Sequence, residues 1–258
     1  MNRLIRSVLL ALVGTVVIFV GAAQEPVGKI TFPLNRVFVI RAGSSQLQMA
    51  HFNMDVFPGD KIETRKESRC EITLKNGDVI RIDENSIYTL EEVVVTEQNV
   101  KAESFLSVGK LWSTVRKIFS KDDYFKVKSP SAVIAVRGTI YRIDVEPDST
   151  TQLRVYDGAV EVKPYNPSMG MQEQGPQEKA GGEKQVKPAW PPQDVSGPTD
   201  VAGPRDVSME EWLEIIKAQQ QIVVRPDGSY EKSEFDPVQD AKSDWVQWNK
   251  KRDALLQR

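Results

Sequence analysis

The sequence predicts a mainly β chain that continues into a Pro-rich linker and C-terminal α-helices. Three observations point this way. From about residue 27 to 163, short runs rich in Val, Ile and Thr alternate with polar residues and are broken by turn signals. From 164 to 207 that periodicity stops, and Pro, Gly, Gln and Lys dominate. From 208 to 258, apolar residues recur at the three- and four-residue spacings of a helix face.

Residues 1–23 read as an export signal. A basic start, Asn2 to Arg6, precedes an apolar run from Val8 to Val20, and the small residues Gly21 and Ala23 suit cleavage after Ala23. An uncleaved inner-membrane anchor is the alternative, because the uncharged stretch approaches the length of a membrane span. Either form places the rest of the chain outside the cytoplasm, and a periplasmic location is expected. Cys70 has no partner cysteine, so no internal disulfide is available. It alternates with Ile72 and Leu74 as a small buried hydrophobe.

The β region, 27–163, contains strand candidates at Arg36–Ile40, Lys61–Thr64, Cys70–Leu74, Val79–Ile82, Phe125–Lys128, Thr139–Val145 and Leu153–Val162. Val108 to Phe119 reads as a strand running into a short helix. Around Lys75-Asn76-Gly77 a three-residue loop with Gly77 left-handed pairs Cys70 with Ile82, Ile72 with Ile80 and Glu71 with Arg81. Asp157-Gly158 fits a two-residue hairpin turn that sets Val155 against Val160 and Arg154 against Glu161. In the linker, Trp190 stands among prolines that favour extended chain. In the tail, Ser208 and Glu211 form a capping box for a first helix, with Trp212, Ile215, Ile216 and Gln219 on one face. Asp236 and Pro237 open a second helix. Its stripe of Val238, Ala241, Trp245, Trp248, Arg252 and Leu255 is expected to dock on the same chain, with a partner surface as the alternative.

Chemistry is sparse. The 34 basic and 36 acidic residues give a net charge of −2 with no basic block, so nucleic acid is not an expected partner. His51 is the sole histidine, and no nucleophile elbow accompanies it. No catalytic, metal or cofactor site is expected, because no His/Cys cluster, calcium loop or phosphate loop occurs. The run from Ser129 to Val145 holds the one unusual motif, Arg137-Gly138-Thr139 after Pro130. Gly138 permits a bulge or bend, and a guanidinium beside a bend can satisfy carbonyls. Arg137 is therefore expected to secure a corner of the fold, with an anion-binding arginine as the alternative.

At these residues the chain resembles FecR domains. The resemblance is carried by Phe57-Pro58-Gly59-Asp60 with Ile62, Thr64 and Ser68, by Ile72 to Gly77 with Ile80 and Ile82, and by Ser86 and Leu90. It continues through Gly109 to Trp112, Phe125 to Pro130, Ala135 to Thr139, Tyr141 and Asp157 to Val162, and covers roughly Gly28 to Val162. The resemblance implies an exported, non-catalytic module built as a twisted β-solenoid or flattened double sheet. It makes Pro130, Arg137, Gly138, Thr139, Asp157 and Gly158 fold-defining. Founding members of the family relay a signal to a sigma factor through a cytoplasmic segment. Only a few residues precede the apolar run here, so the chain looks more like the stand-alone exported type. Its expected role is a protein-binding scaffold or signalling module of the cell envelope, with another envelope protein as partner. The alternatives are a peptidoglycan- or glycan-binding module and the periplasmic part of a sigma-factor relay. Trp190, Trp212, Trp245 and Trp248 are the candidate partner-binding residues, and Trp112 joins them as a stacking surface under the glycan alternative.

Overall fold

The computed structural model describes residues 24–96, 99–116, 123–165 and 214–256. Within them lie seventeen strands. The first nine are β1 (Gly28–Leu34), β2 (Val37–Ile40), β3 (Leu47–Met49), β4 (Met54–Val56), β5 (Lys61–Thr64), β6 (Arg69–Leu74), β7 (Val79–Ile82), β8 (Ile87–Val95) and β9 (Val100–Thr114). The others are β10 (Tyr124–Lys128), β11 (Ala132–Val136), β12 (Ile140–Val145), β13 (Thr151–Asp157), β14 (Ala159–Pro164), β15 (Glu214–Lys217), β16 (Gln220–Val224) and β17 (Tyr230–Glu234). Two helices follow, α1 (Pro237–Asp240) and α2 (Asp244–Leu256).

The strands form two sheets that share β9. The front sheet runs β4-β1-β6-β7-β9-β12-β13-β16-β17. The back sheet runs β3-β2-β5-β8-β9-β10-β11-β14-β15. All pairs are antiparallel except β9 with β10. The inner faces interdigitate in one core, where Ile72, Ile80, Ile143 and Leu153 from the front meet Val39, Ile62, Val127 and Ile134 from the back. This is the flattened double sheet. Alternating polar and apolar residues suit it, because each strand buries one face.

Consecutive strands cross from one sheet to the other at corners, and each corner holds a left-handed residue. These are Asn35, Asn53, Gly59, Glu67, Asn85, Gly109, Gly138, Gly158 and Gln219, with φ between 52° and 100°. Gly109 marks the point within β9 where pairing passes from the back sheet, at Val108, to the front sheet, at Gly109 itself.

Four local expectations meet different fates. The Lys75–Gly77 loop is as expected, with Cys70↔Ile82, Glu71↔Arg81 and Ile72↔Ile80 in register and Gly77 at φ 82°. The Asp157-Gly158 hairpin is overturned. β13 and β14 lie in different sheets, and Gly158 turns a corner at φ 83°. Val155 and Val160 both point into the core, so the apolar match held while the strands were not neighbours. The tail helix through Ile215, Ile216 and Gln219 is also overturned where it is described. Ile216 is buried and Ile215 exposed, a period of two. β15 and β16 complete ladders that β14 and β13 would otherwise leave open, so the double sheet extends beyond residue 163. Ser208 and Glu211 lie outside the described residues. The second helix starts as expected, with the Asp236 carboxylate accepting from the Val238 and Gln239 amides and Pro237 at its first position. It stops after Asp240 and a separate helix follows, so the expected stripe is broken and its ends, Val238 and Leu255, are exposed.

Candidate functional site

The two outer faces of the double sheet differ. On the front face, side chains from successive strands form a row: Phe32, Glu71, Arg81, Trp112, Arg142, Arg154, Gln221 and Ser233. Helix α2 covers one end of it. Arg81 is fully buried and bridges sheet to helix, donating to Glu71 at 2.7 Å and to Asp253 at 2.6 Å. Arg252 donates both ways to Glu71 at 2.7 and 2.8 Å. Asp253 also accepts from the Trp112 indole and the Thr114 hydroxyl, each at 3.0 Å. Under α1 a second cluster joins Arg142 to Asp144 at 2.6 Å and to Asp240 at 3.1 Å, with the Tyr156 hydroxyl donating to Asp240 at 2.7 Å. The helices are therefore attached largely by buried, paired charges.

Burial alone would raise the Glu71 carboxyl, but hydrogen bonds from Arg252 and Arg81 outweigh it and hold the pKa at about 2. A depressed carboxylate pKa adds stability that is complete above the unfolded value and is lost as pH falls toward the folded one. Thermal stability should therefore drop as pH falls from about 4.5 to about 2. Burial raises Asp78 and Asp83, which act in the opposite sense. A Glu71→Gln variant isolates the effect, and its melting temperature should fall less over the same window.

The tryptophans expected to meet a partner are turned onto their own chain. Trp112 and Trp245 are buried. Trp248 is half-buried, stacks on Trp245 at 5.4 Å and lies under the guanidinium of Arg69 at 5.1 Å. This takes Trp245 off the expected binding surface and leaves Trp248 only partly accessible. Trp190 and Trp212 lie outside the described residues.

The Arg137-Gly138-Thr139 motif is a corner between sheets. Gly138 is left-handed at φ 66°. Thr139 is buried, exchanges backbone hydrogen bonds with Val115 and donates its hydroxyl to the Ala159 carbonyl at 3.1 Å. The Gly158 corner stacks on it so closely that an added Cβ would lie 2.8 Å from the Gly138 oxygen. Pro130 sits in the β10–β11 turn, beside Ser129 and Ser131, whose hydroxyls meet Thr151. Asp157 is exposed. Arg137 is not the residue that holds the corner. Its side chain is exposed and makes no hydrogen bond or ion pair among the described residues. Arg137→Ala should leave the unfolding free energy within about 0.5 kcal/mol of wild type in a denaturant titration.

Arg137 instead lines a groove of about 340 Å³ on the back face, with Tyr124, Lys126, Ala135, Ala159, Glu161 and Ile215. The groove exists because Ala135 and Ala159 are short where neighbouring strands carry long side chains. No described element covers this face. Sequence reasoning placed Arg137 at a bend but could not see that Tyr124, Ala159 and Ile215, far apart in the chain, share its face. His51 is exposed, and among the described residues its ring meets only the Phe52 carbonyl. Cys70 is fully buried, and burial pushes its thiol above the usual range, away from the reactive thiolate. No group of His, Cys, Asp and Glu suited to a metal occurs among the described residues.

The family model described as FecR protein matches residues 60–161, which span the centre of both sheets from the start of β5 into β14. Two crystal structures of a "putative anti-sigma factor" from Parabacteroides distasonis ATCC 8503 are similar. One, at 1.65 Å resolution, has 16% identity and a TM-score of 0.43 over 68% of this chain and 60% of that chain. The other, at 2.50 Å, has 15% identity over the same shares, again with a TM-score of 0.43. This chain thus spans about 60% of the length of those proteins. No curated protein matches it. Residues 60–161, which hold the Arg137-Gly138-Thr139 corner and the centre of both sheets, are thus a FecR domain.

Proposed function

We propose that this protein is a non-enzymatic, exported module of the cell envelope that binds another protein through the back face of its double sheet, as part of a signalling system. The observation that carries the reading is the contrast between the faces. The front is partly covered by the chain's own helices, and its groove of about 470 Å³ beside α1 is lined by the paired charges Arg142, Arg154 and Asp240. The back presents a groove at the Arg137 corner whose guanidinium has no ion pair among the described residues. The FecR domain supports a signalling role. Export rests on the basic-apolar-small pattern of residues 1–23, which lie outside the described residues. No helix of the described residues is long and apolar enough to cross a membrane.

The test is a cross-linked pull-down of the tagged full-length chain from an envelope fraction, run beside co-sedimentation with peptidoglycan. A discrete protein, enriched in the envelope fraction and competed away by untagged chain, supports the reading. If that protein spans the membrane and reaches a sigma factor, the module belongs to a relay. Co-sedimentation with peptidoglycan and no protein partner would replace the scaffold reading with the glycan one.

A further inference from the structure

The charges on the back face are unevenly arranged. On the strands β9, β10, β11, β14 and β15, one row of outward side chains reads Lys101, Tyr124, Arg137, Ala159 and Lys217. Lys101 lies opposite Tyr124, and Lys217 opposite Ala159. Arg137 follows Val136, which is paired with both Phe125 and Val160. The row thus carries three cations and no carboxylate, and none of the three is in an ion pair among the described residues. At about 4.8 Å per strand it extends roughly 19 Å. The adjacent row differs. There Glu103 is neutralised by Lys126 at 3.1 Å and Lys128 at 2.6 Å, and beyond lie Ala135, Glu161 and Ile215.

We infer that this cationic row is the specificity element of the proposed binding face, and that its ligand is an acidic, extended segment of a partner protein. The inference rests on the protein-binding reading and names the chemistry of the partner. Unpaired guanidinium and ammonium groups favour carboxylates, and a guanidinium can take one in bidentate fashion. The alanine floor and the exposed Ile215 wall give apolar side chains of a peptide a place to pack. Glu161, in the next row and in no ion pair among the described residues, would repel a dense polyanion, whereas a polypeptide can present a carboxylate to Arg137 and a neutral residue to Glu161. The whole chain has a net charge of −2, so attraction to an acidic segment is a local property of this row.

The experiment uses the full-length chain with a fluorescent peptide of alternating glutamate and alanine, at low and high salt, with inorganic polyphosphate as the second probe. One variant combines Lys101→Gln, Arg137→Gln and Lys217→Gln. A control with the same charge change combines Lys66→Gln, Lys242→Gln and Lys251→Gln, all exposed and away from the row. The row variant should weaken peptide binding about tenfold or more, and the control should stay within about twofold. Equal loss in both variants, or no loss in the row variant, would overturn the inference, as would polyphosphate binding more tightly than the peptide. The same row variant is then used in the cross-linked pull-down. If it still captures the partner that wild type captures, the acidic-ligand inference fails and the protein-binding reading stands. If wild type captures no protein at all, the protein-binding reading itself fails.

Discussion

Replacing Arg81 by methionine should lower the unfolding free energy by about 3–5 kcal/mol, the usual cost of removing one partner of a buried ion pair. Arg81 is fully buried and touches Glu71 on the neighbouring strand and Asp253 on α2. Methionine retains much of the volume but leaves two carboxylates facing each other beneath the helix. Arg252 still compensates Glu71. Asp253 keeps only neutral donors, the Trp112 indole and the Thr114 hydroxyl. Chemical denaturation gives the size of the loss, and amide exchange should show α2 opening first. Adding Glu71→Gln and Asp253→Asn to Arg81→Met should restore part of the stability, because the damage comes from the uncompensated charges and only in small part from lost packing. A loss below about 1 kcal/mol for Arg81→Met would show that the charge cluster does not attach the helix.

Gly109→Ala should cost about 3 kcal/mol or more, combining left-handed strain with a backbone collision. Gly109 has φ 100°, and an added Cβ would lie 2.6 Å from the Ser86 Cα and still closer to its side chain. Ser86 cannot retreat easily. It is fully buried, its hydroxyl accepts from the Lys110 amide at 3.0 Å, and its backbone exchanges bonds with Thr64. Those bonds hold β5, the β7–β8 corner and β9 together where β9 changes sheets. A melting temperature lower by about 5–10 °C is expected for a domain of this size. Gly43→Ala is the comparison, since Gly43 is also left-handed, at φ 72°, but has nothing near its Cβ position. That variant should lose about 1 kcal/mol from conformational strain alone.

The fold was most legible where local pattern and tertiary pairing agree. Cys70, Ile72, Ile80 and Ile82 alternate, and the Gly77 turn fixes their register, so the β6–β7 hairpin could be read directly. Asp157-Gly158 shows the limit. A hairpin and a corner both need a left-handed glycine, and both direct Val155 and Val160 inward, so local chemistry cannot choose between them. Ile215 and Ile216 were read as helical because flanking capping residues were present, yet open ladder edges on β13 and β14 decided their conformation. The candidate site was half legible. The sequence marked Arg137 as unusual and supplied both its structural and anion-binding readings. It ranked the structural reading first, but what surrounds the guanidinium decides the matter, and in the fold Thr139 with Gly138 satisfies the corner while Arg137 stays exposed. The middle of the tryptophan stripe was visible as a docking face, although its ends, Val238 and Leu255, are exposed. Its target was not, because Glu71, Arg81 and Trp112 look like ordinary solvent-facing strand positions until a helix lies on them.

On the proposed reading the back face meets a protein and the front face does not. The most direct measurement is photo-cross-linking in cells of the source organism, with a cross-linking residue placed at Ala159 in the groove and, separately, at Gln247 on the exposed side of α2. Both positions are exposed, so neither substitution disturbs the core. The predicted result is one discrete protein adduct from Ala159, lost when the Lys101, Arg137 and Lys217 substitutions are added, with none from Gln247. An adduct from Gln247 with Ala159 silent would contradict the account and move the binding surface to the helices.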